Sequence, residues 1–282
     1  MHDPTPEERY GADGEDWDER VPAHAAGPPH DLDAFRAGED VLRGFEVAEV
    51  GDVTGRTLLH LQCRTGLETL SWARRGAAHV VGLDPSERAV ETARSLAADL
   101  GLTQDRAAFV AADVYDAAEA VPDGSYDVVY TGGGALRRLP DAERWAETAA
   151  SLVAPGGFLY LAEFHPLADS LDDETGSRVV RDYFVRDPWT DTAPGAHADS
   201  GADRAHPVGE VVTALARAGL RIDFLHEHDV SSVPRYGTLQ RHEDGRYRFP
   251  ADRPRVPLMY SVRASRPDRP RGASGRPGPD GP

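Results

Sequence analysis

Short apolar runs alternate with segments of helical periodicity through the middle of this chain. Thr57 to Leu61 is the first run, of the kind expected for a parallel strand covered on both faces. Leu67, Leu70, Ala73 and Ala77 then recur at helical spacing, and Ala78 to Leu83 is a second apolar run. The alternation continues with Ala107 to Asp116 and Ser125 to Gly134. A fifth run, GGFLYLAEFHP, follows the helix-ending turn Ala154, Pro155, Gly156, Gly157 and ends at Pro166. Arg221 to Val230 and Pro257 to Ser265 give a sixth and a seventh strand. Strands separated by helices predict an α/β sheet.

Between the first two runs, Gln62, Cys63, Arg64, Thr65 and Gly66 must turn the chain from strand to helix. The free N–H groups and positive dipole end of that helix then face the crevice at the carboxyl edge of the sheet. Gly66 allows close approach there. Asp84 ends the second run, where an acidic residue accepts hydrogen bonds from ribose hydroxyls. Arg56 to Ser86 thus reads as one mononucleotide-binding half of a Rossmann-like sheet, gripping an adenosine cofactor that lacks a 2′-phosphate. A single glycine is a weak signal where a dinucleotide fingerprint shows three. Asp113 after the third run, and Gly132, Gly133 and Gly134 after the fourth, add to it, because glycines just past a strand of an α/β sheet border ligand crevices.

With these segments in this order, the sequence resembles the class I S-adenosylmethionine-dependent methyltransferases across roughly Val41 to Ser265. The general family motif has an acidic residue and three glycines where this chain has His60, Gln62, Arg64 and Gly66. A bacterial subgroup carries a similar degenerate loop, a similar LETLSWARRGA helix, and similar GEVVTAL and PLMYS segments, so the departure reads as a subgroup trait. The resemblance implies an α/β fold: a Rossmann-like seven-stranded, mostly parallel sheet with helices on both faces, plus an N-terminal segment and insertions covering the site. It also implies S-adenosyl-L-methionine as cofactor. The loop from His60 through Leu61, Gln62 and Cys63 to Gly66 would lie against the methionine part. Asp84, followed by Pro85, would hold the ribose, and Asp113 would accept from the exocyclic amino group of adenine. Val114 and Tyr115 would flank the ring, and Thr131, Gly132 and Gly133 would floor the site beside the sulfonium.

Each assignment has a structural alternative. Asp84 with Pro85 and Ser86 also reads as a helix cap, Asp113 as a turn residue, the glycines as a loop without a partner, and Cys63 as a small buried residue.

Composition narrows the function. The 282 residues, 40% of them hydrophobic, suffice for one sizeable core. A formal charge of −17 repels a phosphate backbone, so a nucleic-acid partner is disfavoured and a small-molecule acceptor expected. No apolar run approaches the ~18 residues of a membrane span, and no signal peptide is visible, so no membrane association and a cytoplasmic location are expected. The single cysteine excludes an intramolecular disulfide, and no Cys/His cluster has zinc-ligand spacing. The sequence leaves the oligomeric state open.

Three parts are expected: an N-terminal segment over residues 1–40, the main domain over 41–265, and a disordered tail over 266–282. Tyr10 and Trp17 make the first a candidate lid that touches the acceptor, or else a frayed arm. The insertions 166–207, with Tyr183, Phe184 and Trp189, and 231–256, with Tyr236, Tyr247 and Phe249, either enclose the acceptor or pack onto the core. Glu243, Asp244 and Gly245 read as a hairpin turn. For an oxygen or nitrogen acceptor a base near the methyl group helps. His165 is the first candidate and His206 the second, with Glu163 and Tyr183 orienting the acceptor. Methylation of a ring carbon stays open. So do two rivals, a nicotinamide-dependent oxidoreductase and a non-catalytic S-adenosylmethionine-binding or regulatory domain.

Overall fold

The computed structural model describes residues 32–184 and 206–268. Tyr10, Trp17 and Trp189 lie outside them, as do nearly all of the N-terminal segment and residues 269–282. In chain order the elements are α1 (Leu32–Arg36), α2 (Gly44–Val50), β1 (Thr57–Leu61), α3 (Leu67–Arg74), β2 (His79–Asp84), α4 (Glu87–Asp99) and β3 (Ala107–Ala111). They continue with α5 (Ala117–Ala120), β4 (Tyr126–Gly132), α6 (Ala142–Ser151), β5 (Val153–Phe164), α7 (Pro166–Asp169) and α8 (Val208–Arg217). The last are β6 (Arg221–His228), β7 (Gln240–Arg241), β8 (Tyr247–Arg248) and β9 (Met259–Ser265).

The seven-stranded sheet has the order β3-β2-β1-β4-β5-β9-β6. Neighbours from β3 to β5 pair in parallel, and β9 runs antiparallel between β5 and β6. All seven expected strands are present and β1 has the expected bounds, but several ends move. β3 stops at Ala111 because Asp113 accepts the Tyr115 N–H at 2.8 Å and starts a 3-10 turn over Val114–Asp116. β4 stops at Gly132 because Gly133 (φ +70°) and Gly134 (φ +89°) enter the left-handed region. β5 begins at Val153, earlier than expected, because a bulge lets Tyr126 pair with Val153 while Val128 pairs with Phe158.

Alternate strand residues feed two cores. Leu59, Leu61 and Val129 pack with Trp145 of α6 and Leu215 of α8, while Leu58, Val128 and Tyr130 pack on the other face with Trp72 of α3 and Val90 of α4. Phe35 of α1 is buried in the second core beneath the Arg74 guanidinium, 4.0 Å from the ring centre, so packing begins before Val41. Complete burial of each such side chain contributes roughly 1.5–3 kcal/mol.

Gly66 is the residue before α3 and has φ +78°. A Cβ there would lie 2.7 Å from Phe109 Cε1 and 2.8 Å from Ala93 Cβ. The close approach it permits is therefore between β3, α4 and the loop, inside the protein.

The second insertion forms the β7–β8 ribbon, with Gly245 (φ +75°) in its turn. Tyr236 and Phe249 stack with centroids 5.7 Å apart in a small core with Leu171, Leu239 and Leu258. Those two aromatics pack the insertion rather than line a cleft. Among the described residues no helix is long and apolar enough to cross a membrane, and no group of three or more His, Cys, Asp or Glu could hold a metal.

Candidate functional site

The connections reverse direction beside β1, which pairs with β2 on one side and β4 on the other, and such switch points open a crevice at the carboxyl ends of the strands. Register aligns those ends: Leu61 sits opposite Leu83, and His60 opposite Tyr130. The Gln62–Gly66 loop, Asp84 and the β4 end at Thr131 and Gly132 consequently meet at one edge.

The loop is held in an unusual conformation. Gln62 (φ +59°) and Arg64 (φ +52°) occupy the left-handed region, which costs a non-glycine residue roughly 1–2 kcal/mol. Compensating bonds fix it: Gln62 Nε2 donates to the Ala135 carbonyl at 2.9 Å, and the Cys63 N–H to the Leu83 carbonyl at 2.9 Å. The Arg64 N–H donates to Asp84 Oδ2 at 2.8 Å, and the Arg64 side chain pairs with Glu68 at 3.0 Å. Asp84 also accepts the Ser86 N–H at 3.0 Å. Burial pushes Asp84 up to about 6, against the pull of these two amides and of the Arg64 and Arg138 charges.

Two buried polar atoms at this edge have no partner among the described residues: Gln62 Oε1 and Thr131 Oγ1. Next to them the chain has no side chains. A Cβ on Gly132 would lie 2.9 Å from Tyr130 Oη, and one on Gly133 would lie 2.8 Å from Arg64 Nη2. Unsatisfied buried groups cost about 1–3 kcal/mol each and persist where a ligand supplies the missing bond. A polar, adenosine-like cofactor fits that donor and acceptor set. Thr131→Val keeps the shape and removes the orphaned hydroxyl, so the ligand-free protein is expected to gain about 1 kcal/mol. Its melting temperature should rise while the further rise on adding S-adenosylhomocysteine shrinks. A lower melting temperature would mean that the hydroxyl is already satisfied.

Residues 58–157 match a family model described as a methyltransferase domain. The chain is similar to methyltransferases over that stretch. It is 35% identical over 133 residues to a ubiquinone biosynthesis O-methyltransferase of Neisseria meningitidis serogroup C, over 47% of this chain and 51% of the relative. It is 30% identical over 169 residues to a protein of the same name from Psychrobacter cryohalolentis, over 57% of this chain and 63% of that one. The chain spans about half the length of the curated relatives it matches. Among solved structures, an S-adenosylmethionine-dependent methyltransferase from Mesorhizobium loti shares the fold, with a TM-score of 0.60 and 22% identity over 78% of this chain and 94% of that chain.

The other residues singled out from the sequence fall into several environments of the fold. His60, at the acidic position of the family motif, is buried under the loop and shares a 2.8 Å hydrogen bond with Thr69 Oγ1, and burial pulls it down to about 4, so it is neutral. The Leu61 side chain is in the core, and Cys63 is buried with its thiol pushed well up by that burial. Pro85 is exposed beside Asp84, and Val114 is buried under the end of β3. Tyr115 is half-buried, with its hydroxyl 3.0 Å from both the carbonyl and the N–H of Asp141 and Arg144 stacked 4.4 Å over its ring.

The acid-base candidates cluster beyond residue 157. Glu163 accepts the Leu136 N–H at 3.0 Å and the Phe164 N–H at 2.6 Å, and burial pushes it up to about 7. His165 caps α7, its Nδ1 accepting the Leu167 N–H at 3.1 Å while Nε2 faces Glu227 Oε1 at 2.9 Å. Burial lowers its pKa in spite of that carboxylate. His206 Nε2 is 2.8 Å from the Leu139 carbonyl, in a small pocket it shares with Glu163. Tyr183 Oη accepts the Val208 N–H at 3.4 Å. Glu163 and His206 are thus brought together, whereas His165 is tied to the α7 turn.

One network escaped the sequence reading. Fully buried Glu46 of α2 pairs with Arg43, accepts the Arg43 N–H at 2.8 Å and accepts from Tyr130 Oη at 2.7 Å, joining α2 to β4. Its only local signal is a glutamate on the inward face of an otherwise apolar turn, GFEVAEV.

Proposed function

We propose that this chain transfers a methyl group from S-adenosylmethionine to oxygen or nitrogen of a small-molecule acceptor in the cytoplasm. The observation that carries the reading is the pair of orphaned polar atoms, Gln62 Oε1 and Thr131 Oγ1, at a glycine-floored switch point within the matched domain. Oxygen is the better supported acceptor atom, because the relatives named above are O-methyltransferases. The formal charge of −17 argues against a nucleic-acid acceptor.

When bound, the cofactor supplies an electrophilic methyl group on a sulfonium. The residues here have other tasks. Asp84 would hold the ribose hydroxyls and Asp113 the adenine amino group, with Val114 and Tyr115 beside the ring. Gly132 and Gly133 leave room for acceptor and methyl group to meet in line, the arrangement from which most of such a rate gain comes. Glu163 is the best placed proton acceptor: a carboxylate pushed up to about 7 works near neutral pH, while both ring nitrogens of His165 are already engaged. His206 would then help to position the acceptor.

Calorimetry tests the reading. S-adenosylhomocysteine is expected to bind with a Kd of about 1–100 μM, and NAD not measurably. Tight NAD binding would favour an oxidoreductase. S-adenosylhomocysteine binding without methyl consumption across a broad panel of phenols and amines would favour a regulatory domain.

A further inference from the structure

A cleft of about 780 Å³ opens at the carboxyl end of β6, between the start of α2 and the β7–β8 ribbon. Arg43, Arg246, Arg248 and Arg255 line it, with the carboxylates Glu227, Asp229 and Asp244 among them. Three of its arginines are neutralised where they stand, Arg248 by Asp244 at 2.7 Å, Arg255 by Asp229 at 2.6 Å and Arg43 by Glu46. Arg246 is not. Its Nη2 donates to the neutral carbonyls of Val41 and Leu42 at 3.4 and 3.2 Å, and among the described residues no carboxylate pairs with it. Arg43 lines the same cleft, 5% exposed, and its Nε has no partner among the described residues. Burial and then the Arg43 charge pull Arg246 below its usual pKa, against the opposing pull of the Glu46, Asp244 and Glu68 carboxylates nearby.

Phe45 and His228 also line the cleft, their rings stacked on one another with centroids 3.9 Å apart and planes 19° from parallel. Arg43 joins it to the crevice, since Arg43 Nη2 lies 3.5 Å from where a Cβ on Gly133 would be.

We propose that this cleft receives the methyl acceptor, and that the acceptor is a planar molecule carrying a carboxylate or similar oxyanion, gripped by Arg246 and the Nε of Arg43. The inference rests on the methyl-transfer reading for the acceptor's role, but not for the anion site itself. Guanidinium forks suit oxyanions, and a stacked pair of rings suits a planar body.

Calorimetry on the full chain tests it with benzoate and its neutral isostere benzamide as probes, and with S-adenosylhomocysteine on the same samples. Benzoate is expected to bind about tenfold more tightly than benzamide. Arg246→Met should abolish that preference and Arg246→Lys keep part of it, with S-adenosylhomocysteine affinity unchanged in both. The lysine variant keeps a charge and a donor near the Val41 and Leu42 carbonyls, so it separates lost anion binding from a loosened α2. Equal binding of the two probes, no binding of either, or a preference that survives in Arg246→Met would overturn the proposal. If the benzoate preference holds while S-adenosylhomocysteine fails to bind, the anion site stands and the acceptor role falls.

Discussion

Gly66→Ala is expected to lower the unfolding free energy by about 2–5 kcal/mol. Two effects add. Alanine in the left-handed backbone at φ +78° costs roughly 1–2 kcal/mol. The new methyl would also stand 2.7 Å from Phe109 Cε1 and 2.8 Å from Ala93 Cβ, and forcing extra volume into a packed core costs typically ~1–3 kcal/mol more. Neither neighbour can withdraw easily: Phe109 is fixed on β3 and also fills the space above Gly82, where a Cβ would meet it at 2.6 Å. Because domains are stable by only ~5–15 kcal/mol, the variant should show a much lower urea midpoint with an unchanged slope. A loss below about 1 kcal/mol would mean that β3 and α4 do not close over the loop as described.

Asp84→Ala is expected to weaken S-adenosylhomocysteine binding by about 1.5–3 kcal/mol, roughly 10- to 150-fold, through lost charge-assisted hydrogen bonds. It also removes the acceptor for the Arg64 and Ser86 amides that holds the loop in its left-handed turns, so some stability goes with it. Asp84→Asn keeps a carbonyl oxygen for one of those amides and should retain the fold while losing affinity. The pH dependence has two opposite signs. The folded-state pKa, about 6, lies above the ordinary 3.8, so the stabilisation from protonated Asp84 is complete below 3.8 and disappears as the pH climbs through about 6. Cofactor affinity needs the ionised form and should rise over that same interval. In Asp84→Asn both trends should vanish, as thermal melts and calorimetry between pH 4 and 8 would record.

The sheet was legible because each strand is a local apolar run, and Thr57–Leu61 carries its bounds in its own side chains. Strand ends were less so, since Asp113 and Gly133 stop β3 and β4 through hydrogen bonds and φ angles that hydropathy does not register. Asp84 was legible from its place after a strand. What it does in the fold was not, because the partners that occupy it are backbone amides of a loop 20 residues away and of its own turn. The Arg43–Glu46–Tyr130 network ties residues 84 positions apart, beyond the reach of any local pattern. His165 has a role that its position did not reveal: a histidine after a strand serves equally well as a helix cap, and here Pro166 starts the helix that it caps.

A crystal structure of the complex with S-adenosylhomocysteine tests the central claim most directly. The account predicts adenosine across the tips of β1, β2 and β4, with a ribose hydroxyl about 2.6–3.2 Å from Asp84, the adenine amino group at Asp113, and polar atoms of the ligand on Gln62 Oε1 and Thr131 Oγ1. A nucleoside found elsewhere on the sheet, or out of reach of both aspartates, would contradict it.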